Sequence, residues 1–138
     1  MNKTEHENIT AIRIKEAEIL LMADCYQGAY YLAGYALECA LKACIARQVK
    51  EFDFPDKKLA NASYTHKLVD LVITAGLKQE LTEQEKQNEE FKLNWAVVIE
   101  WSEDSRYKFA ITKQEALDLF AAITDNESGI LPWLKKYL

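Results

Sequence analysis

The sequence predicts an all-α protein, an antiparallel up-and-down bundle of four or five helices. Only 4 Gly and 2 Pro occur in 138 residues, so the chain has few of the residues that punctuate short strands and turns. Apolar side chains recur at spacings of three and four along most of the chain. Two tetrapeptides, TEQE and TKQE, have the capping-box pattern that begins a helix.

The first predicted helix covers residues 5–23, where Ile14, Ala17 and Leu21 share one face. Asp24 is placed to cap the start of a second helix over residues 26–48. One face of that helix is a stripe of small side chains, which lets a neighbouring helix approach closely; it consists of Ala29, Ala33, Ala36, Ala40 and Cys44. The opposite stripe is polar and aromatic, and it consists of Gln27, Tyr31, Tyr35, Glu38 and Lys42.

The sequence pattern in the second half of the chain predicts shorter helices. Residues 49–63 lose the helical period and form a loop, after which Thr65 caps a short helix that ends at Gly76. The TEQE box at Thr82 then begins a helix that runs through Trp95. Residues 95–101 fit either a strand or a helix, and a helix is favoured because no other segment offers a strand to pair with.

A break follows at residues 102–107, and the TKQE box at Thr112 begins the last helix. Residues 125–132 weaken that helix, and Pro132 is a point where it kinks or restarts.

Composition and charge restrict the classes of function. Hydrophobic residues make up 49% and charged residues 28%, as in an ordinary globular protein, and residues 1–138 fit one domain. The net charge of −5 argues against a protein that coats nucleic acid through a broadly basic surface, although a local basic patch stays open. The polar start, MNKTEHEN, is not a secretory signal, and no apolar run reaches the roughly 18 residues that span a membrane.

The three cysteines, Cys25, Cys39 and Cys44, are odd in number and match no zinc-binding spacing. Free thiols in a reducing cytoplasm are the simplest account. We therefore expect a cytoplasmic protein without a metal site or a cofactor.

Glu38 and Lys42 form the first candidate site. The acid precedes the base by one helical turn, and an exposed pair in that order supports a helix by only about 0.2–0.5 kcal/mol. The functional alternative gains from Tyr31 and Tyr35 on the same stripe, because aromatic rings beside an acid and a base can hold a nucleobase.

Two further positions carry polar chemistry. His66 lies at the start of a short predicted helix, where a lone histidine is more often a surface or packing residue than a catalyst. Arg106, followed by Tyr107, stands at a predicted helix break. Its guanidinium can bind a phosphate in bidentate fashion or hold the nearby carboxylates of Glu103 and Asp104.

Three segments in this order and spacing, YYLAGYALECALKACIA, THKLVDL and NWAVVIEWSEDSRY, resemble the HEPN domain family. Members are small prokaryotic all-α proteins, with relatives inside larger eukaryotic proteins. The resemblance covers most of the chain, from about Ala17 to the end. It implies a four- or five-helix bundle, commonly a homodimer, with a polar groove near the dimer interface.

Many members of the family are metal-independent endoribonucleases, often toxins, that use an Arg-x(4–6)-His motif to position and protonate the scissile phosphodiester. Others lack the motif; these are commonly encoded beside a minimal nucleotidyltransferase or are proposed to bind nucleotides or RNA. Arg106 corresponds to the motif arginine here, but the window after it, YKFAITK, contains no histidine. No general acid or base of suitable pKa then follows the arginine.

The resemblance therefore implies a non-catalytic protein that binds a nucleotide or RNA, or that partners a minimal nucleotidyltransferase in a toxin–antitoxin-like pair. The expected ligand-binding residues are Tyr31, Tyr35, Glu38, Lys42, Arg106 and Tyr107, with His66 as an additional candidate. Two alternatives stay open: a ribonuclease toxin in which His66 or Glu38 replaces the missing group, and a purely structural dimer.

We predict a homodimer with twofold symmetry, because Trp95 and Trp101 near the expected groove suggest an apolar patch larger than a monomer usually exposes. Analytical ultracentrifugation at micromolar protein should give twice the chain mass of 15.9 kDa. A monomer mass that does not change with concentration would contradict the prediction.

Overall fold

The computed structural model describes residues 1–51 and 57–138, the side chains of residues 49–51 excepted. Every regular element in these ranges is helical. The α-helices are α1 (Lys3–Met22), α2 (Tyr26–Glu51), α3 (Lys57–Ala62), α4 (Leu68–Thr74), α5 (Lys78–Gln87), α6 (Glu89–Val98), α7 (Lys113–Thr124) and α8 (Ile130–Lys135), and a 3-10 helix covers Glu103–Tyr107. No helix in the described ranges is long and apolar enough to cross a membrane.

Helix α2 is the centre of the bundle. It packs against α1, α4, α7, α8 and the 3-10 helix. The stripe of small side chains is buried as predicted, and each of its members is at most 5% exposed; the stripe is Ala29, Ala33, Ala36, Ala40 and Cys44. Small side chains on this face allow the backbones of neighbouring helices to come close.

The other side of α2 makes an equally close contact. Trp101 is 4% exposed, and its indole lies directly on Gly34. A Cβ atom added at Gly34 would fall far inside van der Waals distance of the indole ring. A glycine in mid-helix lowers the stability of the helix by about 1 kcal/mol relative to alanine. The close packing of Trp101 that the glycine permits compensates for this loss. Because the 3-10 helix begins two residues after Trp101, this contact also fixes the position of that helix on α2.

The expected dimer patch is not formed by the tryptophans. Trp95 is 7% exposed and Trp101 is 4% exposed, so both side chains are already buried within the chain. The dimer stays a prediction, but its original motivation from these two residues was wrong.

One predicted helix start, one predicted helix end and one helix assignment agree with the structure. Thr112 and Glu115 form a reciprocal capping box at the start of α7, with hydrogen bonds of 3.1 and 3.2 Å. Gly76, at φ 75°, follows α4 in the left-handed conformation that favours glycine. Residues 95–98 are helical, the last turn of α6, in agreement with the favoured interpretation of residues 95–101.

Two predicted helix starts were wrong because a nearer partner takes the side chain. Thr82 lies inside α5, where its hydroxyl donates to the Lys78 carbonyl (3.0 Å), and the helix before Trp95 is capped instead by Asn88. Thr65 accepts the backbone N–H of Lys67 at 3.2 Å in a local turn ahead of α4, whose N-cap residue is Lys67.

Asp24 ends α1 and does not cap α2. Its φ of 61° is left-handed, and the Cys25 N–H donates to the Leu20 carbonyl at 2.8 Å, which closes α1 as a Schellman motif. The Asp24 carboxylate instead accepts from the Tyr26 hydroxyl at 2.7 Å. An aspartate tolerates this conformation better than most residues with a side chain.

The loop predicted for residues 49–63 was wrong at both ends. Helix α2 continues to Glu51, and Lys57–Ala62 form the short helix α3, which packs against α4. The remainder of that loop, residues 52–56 with Pro55, lies outside the described residues.

The last helix is interrupted. Helix α7 ends at Thr124, and the Asp125 carboxylate accepts backbone N–H groups of Glu127 and Ser128 in a tight turn. Helix α8 restarts at Ile130. Pro132 lies in its first turn, where a backbone N–H has no partner within the helix.

Replacing Gly34 with alanine should lower the free energy of unfolding by about 1–3 kcal/mol, since the added methyl overlaps a buried indole that cannot move freely. Gly28→Ala is the matched control in the same helix. Its Cβ would meet only the end of the Leu20 side chain at 3.2 Å, so the gain of up to about 1 kcal/mol in helix propensity should offset the contact. Urea denaturation measures both variants, and equal stabilities would contradict the packing described here.

Candidate nucleic-acid interface

Glu38 is a buried carboxylate and not a member of an exposed surface pair. Its side chain is 2% exposed, and its Oε2 atom lies 3.2 Å from the Lys42 ammonium, which is itself 19% exposed. Burying a carboxylate is costly unless charged and hydrogen-bonding partners compensate for the lost water. The pair therefore restricts the conformation of this part of α2 far more than an exposed pair would.

His66 supplies the second partner of Glu38. Its Nδ1 atom lies 2.9 Å from Glu38 Oε2, and its Nε2 atom lies 3.3 Å from Glu103 Oε2 in the 3-10 helix. The structure thus joins three segments that are distant in sequence: α2, the turn before α4, and the 3-10 helix. We call Lys42, Glu38, His66 and Glu103 the ionic chain.

The imidazole has a defined chemical role in this chain. Both of its ring nitrogens face carboxylate oxygens: Nδ1 is hydrogen-bonded to Glu38, and the Nε2 contact with Glu103 is an ion pair only when the ring carries two protons. The contact to Glu103 is the longer one, and Glu103 is 37% exposed while Glu38 is buried. A ligand that reaches His66 would therefore displace Glu103 before Glu38.

Several buried polar atoms near the contact between α2 and the 3-10 helix lack a hydrogen-bond partner among the described residues. They are Glu38 Oε1, Trp101 Nε1 and Ser105 Oγ, in side chains between 1% and 4% exposed. Each such atom carries a desolvation cost of about 1–3 kcal/mol when nothing satisfies it. Ordered water or a polar ligand group is the usual partner of such atoms.

An aromatic ladder runs along the same side of α2. The rings of Tyr31 and Tyr35 are stacked at 6.0 Å, and Tyr31 is stacked on Trp101 at 6.3 Å. The pKa of the Tyr35 phenol is raised, chiefly by burial and then by the nearby Cys39 and Glu38, so the phenol stays protonated at neutral pH. Tyr31 and Tyr35 are half-buried, which leaves part of each ring at the surface.

Arg106 joins this ladder from the 3-10 helix. Its guanidinium lies 4.8 Å from the centre of the Tyr107 ring, within the range of a cation–π interaction. The pKa of Arg106 is raised mainly by Tyr107, and a side-chain hydrogen bond with Tyr31 of the α2 stripe raises it further. The Gln27 side chain holds the backbone of this turn by donating to the Arg106 carbonyl at 2.8 Å.

An open cleft of about 410 Å³ lies next to Arg106 and continues past the 3-10 helix. Its lining alternates cations and aromatic rings: Arg106, Tyr107, Lys108 and Phe109, with Gln27 opposite. Tyr107 is 67% exposed and Phe109 is 99% exposed. Lys108 and Phe109 were not among the expected site residues, although the RYKF alternation of basic and aromatic residues was the signal that could have identified them.

The described ranges hold no cluster of metal-ligand side chains, and two of the three free cysteines are buried. No group of three or more His, Cys, Asp or Glu side chains in residues 1–51 and 57–138 is arranged to hold a metal ion. Burial raises the pKa of Cys39 and Cys44 to about 11, so neither thiol is an ionised nucleophile at neutral pH.

No protein-family model matches the sequence, and neither the curated proteins nor the solved structures contain a significant match.

Lys42→Met should lower the free energy of unfolding by about 1–3 kcal/mol, because it keeps the apolar stem but leaves the buried Glu38 with fewer partners. Lys86→Met is the matched control, since Lys86 contacts Glu83 at 3.9 Å with both side chains more than half exposed. The control should change stability by less than about 0.5 kcal/mol. Equal losses in thermal or urea unfolding would show that Glu38 does not depend on Lys42.

Proposed function

We propose that this chain is a HEPN-like module that binds a nucleotide or a short single-stranded RNA without cleaving it. The observation that carries the proposal is the exposed run Arg106, Tyr107, Lys108 and Phe109 beside the Tyr31 stripe of α2. The HEPN part of the proposal rests on the sequence resemblance, and the all-helical structure agrees with the fold that the resemblance implies.

Alternating cations and aromatic faces match the physical requirements of single-stranded nucleic acid. Bases of any sequence can stack on an exposed ring, and each such contact contributes about 1–3 kcal/mol. Tyr107 and Phe109 offer exposed rings; Arg106 directly precedes Tyr107, and Lys108 lies between the two aromatic residues. In the proposed complex the cations meet phosphates and the rings meet bases.

The contacts of both His66 ring nitrogens favour a binding function over a cleavage function. A general base needs a ring nitrogen that is free to accept a proton from the reacting hydroxyl. Both nitrogens of His66 instead face carboxylates, at 2.9 and 3.3 Å. In this proposal His66 orients the ionic chain, and Lys42 and Arg106 provide charge for the ligand.

A metal-independent ribonuclease is the second candidate, and one observation favours it. The sequence places no histidine after Arg106, yet the fold brings His66 to Glu103, three residues before Arg106 in the same 3-10 helix. Displacement of Glu103 by an RNA strand would free His66 Nε2 at the 3-10 helix that also carries Arg106. Cleavage assays decide between the two candidates.

RNA binding should depend on the exposed run and only weakly on salt. Fluorescence anisotropy with a labelled single-stranded RNA in the presence of a chelator should show a loss of about 1–3 kcal/mol for Arg106→Ala and a similar loss for Phe109→Ala. With Lys42, Arg106 and Lys108 as the cations, the slope of log K against log salt should be about −2.

Lys92→Ala and Leu93→Ala on α6 are the matched controls, since both side chains are exposed and neither lines the cleft. In the cleavage assay we expect the RNA to remain intact with the wild-type protein and also with His66→Ala. Metal-independent cleavage that His66→Ala abolishes would replace the proposal with the ribonuclease. Absence of any RNA or nucleotide binding would favour a nucleotidyltransferase partner or a structural dimer.

A further inference from the structure

A second cavity lies on the other side of Lys42, between α1, α2, α3 and the turn after α3. Its volume is about 660 Å³, within the range of small-molecule sites in proteins. It is separate from the Arg106 cleft, and among the described residues the two share no lining side chain. We call it the α1–α3 cavity.

The charge of the α1–α3 cavity is opposite to that of the chain. The protein carries 22 acidic and 17 basic side chains, yet no aspartate or glutamate is among the described residues that line this cavity. Lys3 and Lys42 do line it. Lys3 makes only a long contact with Glu7 (3.8 Å), and Lys42 contacts Glu38 at 3.2 Å, which leaves donor capacity on both ammonium groups.

His6 adds an unsatisfied polar atom to the same wall. Its Nδ1 atom is buried and has no hydrogen-bond partner among the described residues. Burial lowers the pKa of His6, and nearby positive charge that includes Lys42 lowers it further, so the ring is neutral at pH 7. An Asn2–Glu5 capping box begins α1 ahead of His6, so the histidine lies within the helix.

The remaining walls are apolar or small. Ile45 and Ala46 come from α2, Leu59 and Ala60 come from α3, and Tyr64 stands at the edge with its ring 75% exposed. A cavity with apolar walls and a few convergent polar groups fits an organic ligand better than a bare ion.

We propose that the α1–α3 cavity binds a small organic anion, a phosphate ester or a carboxylate with an apolar body. The anionic group lies at Lys3, Lys42 and His6, and the apolar body packs against Ile45 and Leu59. This site goes beyond the RNA-binding proposal; the two proposals share Lys42, but the cavity lacks Arg106 and the rings around it.

The test uses phenyl phosphate as the phosphate ester probe and benzoate as the carboxylate probe. Inorganic phosphate serves as a control that carries the charge without the ring, and benzyl alcohol as a control that carries the ring without the charge. Calorimetry should show that at least one of the two aromatic anions binds about tenfold more tightly than inorganic phosphate and than benzyl alcohol. The reason is that burying the ring adds apolar contact to the ionic contact. Amide signals of residues 3–6, 45–46 and 59–64 should shift in NMR titrations of the labelled full chain.

Two variants locate the site. Ala60→Phe fills the apolar side and Lys3→Glu reverses charge at the polar side, so each should weaken binding of the aromatic anion about tenfold or more. Lys15→Glu makes the same charge change at an exposed position of α1 outside the cavity, and it should bind like the wild type.

Circular dichroism checks that each variant is folded. If Ala60→Phe does not fold, Lys3→Glu still tests the site. No binding of either aromatic anion at millimolar concentration would overturn the proposal. So would binding that Lys3→Glu leaves unchanged, or inorganic phosphate binding as tightly as phenyl phosphate. None of these variants touches Arg106 or Phe109, so failure here is distinguishable from failure of RNA binding.

Discussion

The contact between Gly34 and the Trp101 indole is the constraint on which the proposed RNA site depends. Only a residue without a Cβ atom lets the indole lie on α2, and the 3-10 helix begins two residues later. That helix carries Glu103, which reaches His66, and Arg106, which stands beside Tyr31. A single glycine in α2 therefore determines where the charged and aromatic side chains of the 3-10 helix lie.

The second determinant is the ionic chain of Lys42, Glu38, His66 and Glu103. A buried carboxylate with two cationic or hydrogen-bonding neighbours gains conformational specificity more than net stability. Its members come from α2, the turn before α4 and the 3-10 helix, so the chain ties these segments together at one point. Lys42 also lines the α1–α3 cavity, which makes it the residue shared by both proposed ligand sites.

The sequence predicted the features that depend on near neighbours. The small-residue stripe of α2, the capping box at Thr112 and the stop at Gly76 each follow from residues within one or two helical turns. Local patterns failed where two local partners compete, as at Thr82 and Asp24. The partners of His66 are 28 and 37 residues away along the chain, and no periodic pattern encodes such a contact, so its place between two carboxylates required the fold.

The most direct test of the account is an NMR titration of the isotope-labelled chain with a short single-stranded RNA in the presence of a chelator. The account predicts that the shifted amide and side-chain signals cluster at residues 27–35, His66 and residues 103–109, while the RNA remains intact. Shifts confined to other surfaces, or no shifts at millimolar RNA, would contradict the central claim that the RYKF run and the α2 stripe form a nucleic-acid site.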